Sequence, residues 1–244
     1  MNLYPAIDLK NGHCIRLKKG QLNKITYYNS NPVEQAKEFN NLGSKWIHMV
    51  DIDGAFKGKN LNHNTFIEVK KKTKCSIQVG GGIRNEKTVS YLIDNNIDRI
   101  VLGTIAVTKP SLVKKICKSF PNKIAVGLDS KKGYVATEGW SKTKNLSVLD
   151  LAKKYEDVGV SHIIFTDIEK DGILAGVSFE QLGQLLESTS LQIIASGGVS
   201  SLEDIKNLKK ISKDYDNLDG VIVGRAIYEK IFTVDQAINI LKIK

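Results

Sequence analysis

A chain of 244 residues can bury roughly 70 to 75% of its unfolded surface in one core. Its formal net charge of +10 invites a nucleic-acid reading, but only four of the 36 basic residues are arginine and the lysines are spread along the chain, so a solvated lysine-rich surface that steers anionic ligands explains it better. No apolar run approaches the 18 or so residues that span a bilayer, the cysteines (Cys14, Cys75, Cys117) are odd in number with no Cys-x-x-Cys, and the four histidines lack ligand spacing. No metal, membrane or nucleic-acid partner is therefore expected. The amino terminus enters a strand at once, which leaves no room for a signal peptide and predicts a cytoplasmic protein with reduced thiols.

In chain order, apolar runs ending in Asp or Gly predict strands at residues 3–8, 46–51, 77–80, 100–103, 124–129, 162–167, 193–196 and 221–224. Most lack alternation, as strands covered on both faces do. Between them lie helical patterns, such as Val33-Ala36-Phe39, Val89-Leu92-Ile93 and Leu149-Ala152-Tyr155. The only long connection read from the sequence is about residues 9–30, where Ile15 and Leu17 flank Arg16 in a small hairpin, either a lid on the site or a flap without ligand contact.

The chain also repeats itself. Residues 43–52 return 116 positions on as 159–168, and Gln-Val-Gly-Gly-Gly-Ile (78–83) returns at the same offset as Ile-Ala-Ser-Gly-Gly-Val. Val-Leu-Gly-Thr (101–104) returns 121 positions on as Ile-Val-Gly-Arg, and that offset also separates Asp8 from Asp129. Such a period is too long for a solenoid and marks a duplicated half-domain. Eight strand-helix units predict an α/β fold, a single (β/α)8 TIM-barrel domain over residues 1–244 built from half-barrels of about 1–122 and 123–244.

In such a barrel the loops after the strands share one face, and backbone amides at a helix amino terminus hold phosphate there. Gly197, Gly198, Gly224 and Arg225 follow strands seven and eight, and Gly81, Gly82, Arg84, Gly103 and Thr104 follow strands three and four. Glycine suits these places because a phosphate must approach the backbone closely. Strands one and five lie opposite in a barrel roughly 15 Å across, so Asp8 and Asp129 are expected to face each other with roughly 9 Å between carboxylates, room for a sugar ring. The expected ligand is elongated, phosphorylated at both ends and reacted upon at its centre by an acid and a base. For either aspartate alone, capping of the following turn is the alternative.

Pro5-Ala6-Ile7-Asp8-Leu9 with Gly12 and Arg16-Leu17, Val50-Asp51-Ile52-Asp53-Gly54-Ala55, Gly80-Gly81-Gly82-Ile83-Arg84, Gly139-Trp140 and Thr166-Asp167-Ile168-Glu169-Lys170-Asp171-Gly172 together resemble the phosphoribosylformimino-5-aminoimidazole carboxamide ribotide isomerases of histidine biosynthesis. The resemblance covers the whole chain. It implies an aldose-ketose isomerase that performs an Amadori rearrangement on a bisphosphate, without cofactor or metal. It also implies that Asp8 accepts the proton from the sugar carbon, Asp129 donates one to the ring oxygen, and Thr166 supports them. Trp140 resembles a tryptophan that stacks on the imidazole, while Asp171 and Gly176 resemble substrate contacts; Arg16 and Arg84 add charge to a phosphate or ring contact. Strand parity puts Val50, the counterpart of Thr166, on the inward face with His48, which either touches the substrate or is satisfied within the barrel.

Two relatives compete with that reading. The cyclase subunit of imidazole glycerol phosphate synthase shares the paired aspartates and phosphate sites but typically opens with Cys-Leu-Asp, where this chain has Ala6-Ile7-Asp8. A bifunctional isomerase also acting on phosphoribosylanthranilate carries an arginine where Glu138 stands. A monomer is expected.

Overall fold

The computed structural model describes residues 1–58 and 61–242. Its strands are β1 (Asn2–Lys10), β2 (His13–Lys18), β3 (Gln21–Asn29), β4 (Trp46–Asp51), β5 (Ser76–Gly80), β6 (Arg99–Leu102), β7 (Ile124–Lys131), β8 (Tyr134–Thr137), β9 (Lys142–Ser147), β10 (His162–Asp167), β11 (Gln192–Ser196) and β12 (Leu218–Val223). Eight of them, in the order β1-β4-β5-β6-β7-β10-β11-β12, pair in parallel, and β12 pairs with β1 to close the ring. This is the expected (β/α)8 barrel. Every strand read from the sequence is present, with ends shifted by at most a few residues.

Helices cover the outside. Apolar residues on both strand faces must be buried, so the outward ones, such as Met49, Ile77 and Ile193, join Phe39, Phe66, Leu92, Ile116 and Leu185 from the helices in one continuous shell. Truncating a large side chain there to alanine costs about 2–5 kcal/mol. Local signals set the helix starts: Asn31 accepts hydrogen bonds from the amides of Val33 and Glu34 with Pro32 at the first turn, and Ser201 with Asp204 forms a capping box for Leu202–Ile211. Asn85 caps Glu86–Asp94 in the other half, at the equivalent position.

The barrel interior is divided. Tyr4, Ala6, Ile164, Ile194 and Ile222 form a small apolar plug, whereas Gln78, Arg99 and His48 are buried polar groups bonded to one another. Residues 9–30 form the expected hairpin, β2 and β3 continuing antiparallel from β1. A second hairpin, β8 and β9, extends β7 in the same way and corrects the expectation of a single long connection. Its strand β9 is polar and largely exposed, so it carries no apolar run by which to be recognised.

Candidate active site

Asp8 and Asp129 occupy equivalent places on β1 and β7. Asp8 pairs in register with Val50 on β4 and Ile15 on β2, and Asp129 pairs with Thr166 on β10 and Ala136 on β8. Each is held between the next barrel strand and its own hairpin, and both line one cavity of about 240 Å³ at the carboxyl ends of the strands. Neither aspartate caps a helix. Asp51 caps the helix Ile52–Lys57 by accepting from the Gly54 amide, and its counterpart Asp167 caps the following turn by accepting from the Glu169 amide and the Ser178 hydroxyl.

The surroundings of the two acids differ. Asp8 is buried and forms an ion pair with Arg16 at 2.8 Å. Burial raises its pKa to about 6, with the Arg16 guanidinium opposing the rise and Asp171 adding to it. Asp129 is likewise pushed up to about 6 by burial, but hydrogen bonds from Trp140 and Thr166, not an ion pair, oppose the rise. Both pKa values therefore sit within reach of neutral pH, where one group can give a proton and another take one.

The glycine loops are duplicates in backbone as well as sequence. Gly81 and Gly197 have φ of +95° and +90°, and a Cβ on either would strike the carbonyl of the preceding strand's last residue, Asp51 or Asp167, at 2.2 and 2.8 Å. Gly82 and Gly198 press in the same way on the carbonyls of Gly54 and Gly176, at 2.4 and 2.2 Å. Only a residue without a side chain fits such a seam, so the loops bring bare backbone to the rim. Gly103 and Gly224 then precede short helices, Thr104–Thr108 and Arg225–Tyr228.

The spaces beside the two sets of glycine loops are unequal. Gly81, Gly82, Arg84, Gly103 and Thr104 line the large cavity, whereas Gly197, Gly198, Gly224 and Arg225 line a cleft of about 20 Å³. Arg16 causes the difference: it lines both spaces, and its guanidinium lies so close to Gly224 that a Cβ there would meet Cζ at 2.3 Å. Arg16 thus bridges one carboxylate and one glycine loop.

Other expected residues converge on the same rim. His48 and Thr166 face the large cavity, and Asp171 lines both spaces. Trp140 lies across Gly20 of the first hairpin and donates to Asp129; its φ of +70° follows two more left-handed residues, Glu138 and Gly139, so the loop holds a strained course to deliver the indole. Thr104 Oγ1 accepts from the Glu138 amide, tying that loop to the first-half glycine turn. Arg84 is exposed and donates to the Ala55 carbonyl. Two residues stand apart. Gly176 lines neither space and instead braces its loop, donating its amide to Gly198 O at 2.9 Å. The Arg225 guanidinium turns to Tyr28 and Glu229, which leaves its backbone at the cleft.

Sequence reasoning missed the contribution of the second hairpin, which adds Ala136 and Thr137 to the lining, and missed the Gln78–Arg99 pair beneath His48. It also left Asp51 and Asp167 without a task, although their match across the repeat marks them as shared scaffold.

A barrel with two acids opening into one cavity and twin glycine loops at its rim defines a class: a (β/α)8 enzyme scaffold with its site at the carboxyl ends of the strands. Residues 2–233 match the family described as "Histidine biosynthesis protein", and the chain belongs to that family. Among curated proteins it is 48% identical over 242 residues to a 1-(5-phosphoribosyl)-5-((5-phosphoribosylamino)methylideneamino)imidazole-4-carboxamide isomerase of Paramagnetospirillum magneticum, covering 99% of this chain and 100% of that one. It is 45% identical to the protein of the same name from Brucella anthropi and 44% identical to that of Brucella ovis, each with 99% of both chains covered.

Proposed function

We propose that this chain is the aldose-ketose isomerase of histidine biosynthesis, converting the bisphosphorylated aminoaldose in its relatives' name to the aminoketose by an Amadori rearrangement. One observation carries the reading: an acid from each half opens into the same cavity, between glycine loops from each half.

The roles follow from the unequal surroundings. Arg16 favours the ionised form of Asp8, which suits a base that takes the proton from the sugar carbon. Asp129 has hydrogen bonds but no ion pair, so an incoming dianionic phosphate raises its affinity for a proton and suits it to protonate the ring oxygen. Thr166 and Trp140 hold the Asp129 carboxylate, and the same indole offers a face for the imidazole ring. One phosphate sits at Gly81, Gly82, Gly103 and Thr104 with Arg84 nearby, the other at Gly197, Gly198, Gly224 and Arg225. Asp171 and Arg16 lie between the second site and the reacting sugar. The chemistry needs only proton transfers, so no cofactor or metal has a step to perform. All these groups come from one chain, which supports a monomer, and three buried free cysteines suit the cytoplasm.

A coupled spectroscopic assay for the aminoketose on Asp8→Asn and Asp129→Asn tests this. Either substitution lowers turnover by at least about 10²-fold while substrate still binds. Near-normal turnover in either variant removes that residue from its role.

A further inference from the structure

Beneath the large cavity, a row of buried polar groups runs from the bottom of the barrel toward its mouth. Arg99 on β6 lies over the Trp46 ring at 4.4 Å from its centroid, and its Nη1 donates to Tyr4 Oη at 3.3 Å and to Gln78 Oε1 at 3.0 Å. Its Nη2 stands 3.1 Å from His162 Nε2. Gln78 Nε2 in turn lies 3.0 Å from His48 Nδ1. Gln78 is completely buried, and Arg99 nearly so.

Donor and acceptor rules allow one assignment. A guanidinium has donors only, so the Gln78 atom facing it must be the carbonyl oxygen. That leaves the Gln78 amide nitrogen, also only a donor, facing His48. His48 Nδ1 must therefore accept, and in a neutral imidazole the proton then resides on Nε2. His48 lines the cavity, and among the described residues its Nε2 has no hydrogen-bond partner.

We infer that Gln78 and Arg99 are positioning residues for the reaction: Arg99 fixes the Gln78 amide, and the amide holds His48 as a neutral Nε2–H donor toward the ligand rather than as a base. Charge around the ring favours the same state. Burial, then Arg16 from β2 and Arg99 from β6, push the His48 pKa down to about 3, while Asp8 lies one inward position further along β1. The imidazole stays neutral across the pH range in which the two aspartates titrate. A neutral donor suits a ligand hydroxyl oxygen on the carbon that loses its proton, because it orients that carbon toward the base without itself protonating the base, while the freed electron pair passes to the adjacent imine nitrogen. This last step rests on the isomerase reading, but the tautomer itself does not.

The ring nitrogens report the state directly. In 15N NMR of the labelled full chain, with His48 assigned by comparison with His48→Gln, wild type is expected to show a protonated Nε2 and a bare Nδ1, unchanged from pH 5 to 8. Gln78→Glu places an acceptor against Nδ1 beside Arg99, so Nδ1 becomes protonated, and kcat falls roughly 10²-fold, as for loss of one preorganised donor, with KM changed less than about threefold. Gln78→Met, which keeps the volume if the charged variant fails to fold, is expected to give mixed tautomers and a smaller loss. A protonated Nδ1 in wild type, or ring nitrogens unaltered in both variants, overturns the inference. A locked tautomer in a protein that does not isomerise the substrate instead overturns the isomerase reading and leaves the lock standing.

Discussion

The two half-barrels share a backbone plan and differ in what surrounds each acid. In both, an aspartate lies two residues before the end of the first strand beside a hairpin, a second aspartate caps the next loop, and left-handed glycines press onto the preceding turn. Around Asp8, however, the neighbour on the next strand is Val50 and the hairpin supplies Arg16. Around Asp129 the equivalent neighbour is Thr166 and the hairpin loop supplies Trp140. Duplication gives two similarly placed carboxylates, and replacement of their neighbours gives one an ion pair and the other hydrogen bonds, the difference on which the proposed division into base and acid rests.

Removing the acids tests that asymmetry most strongly, because their loss should be similar in turnover and opposite in stability. Beyond the fall of at least about 10²-fold in turnover, Asp129→Asn should stabilise the fold at pH 7 to 8. Its carboxyl has a folded pKa near 6, above the ordinary value, so folding is disfavoured once the group must ionise. Below an ordinary carboxylate pKa the penalty is absent. The gain is about 1–2 kcal/mol, discounted because Asp129 is partly open to solvent, or about 2–4 °C in Tm per kcal/mol, and it disappears toward pH 4. Asp8→Asn should show no such gain, since it leaves the Arg16 charge buried without its carboxylate. Thermal melts of both variants at pH 4 and 7.5 compare them; equal shifts mean the ion pair does not separate the two acids.

Arg16→Met sharpens the same contrast from the other side. Arg16 opposes the rise in the Asp8 pKa, so its loss lifts that pKa further above 6. A base works only when unprotonated, and the acid-side limb of the kcat/KM profile should move to higher pH. At pH 7 activity is expected to fall about 10-fold, with part of it returning by pH 8.5. A limb that stays in place assigns it to another group.

The barrel and the positions of both acids were legible because period and offset survive in a linear text. Strands covered on both faces leave apolar runs, and duplication leaves Asp8 and Asp129 121 positions apart. The partners of those acids were not legible as partners. Arg16 and Trp140 come from hairpins whose course is set by packing over the mouth: Trp140 on Gly20, and Gly172 against the Leu17 carbonyl. Nothing in their spacing says which carboxylate each reaches. Gln78 and Arg99 lie at the edges of runs read for their apolar members, so their pairing across adjacent strands became visible only with the register.

Thr166→Val makes the second half resemble the first. It removes a hydrogen bond that lowers the Asp129 pKa. Turnover should drop by roughly 3- to 10-fold, the net worth of about one ordinary hydrogen bond, with the Asp129 limb shifted upward. Asp8→Asn in the same background should lose as much as it does alone, because Thr166 acts on the other acid.

The mildest contrast uses the glycines that open the two short helices. Gly103 and Gly224 share nearly the same backbone angles, φ of −95° and −111° with ψ of −102° and −94°. Their surroundings do not match: a Cβ at Gly103 meets nothing within 4 Å, whereas one at Gly224 meets the Arg16 guanidinium. Gly103→Ala should therefore leave Tm within about 2 °C and raise KM a few-fold by placing a methyl group where a phosphate approaches. Gly224→Ala should raise KM similarly and also push Arg16 away from its seat, so it alone should move the Asp8 limb upward, by less than Arg16→Met does. Steady-state profiles of the two variants decide the matter. If both leave the limb unmoved, the contact between Arg16 and the second glycine loop does not set the charge on Asp8; if both move it, the two loops are electrostatically as alike as their backbones.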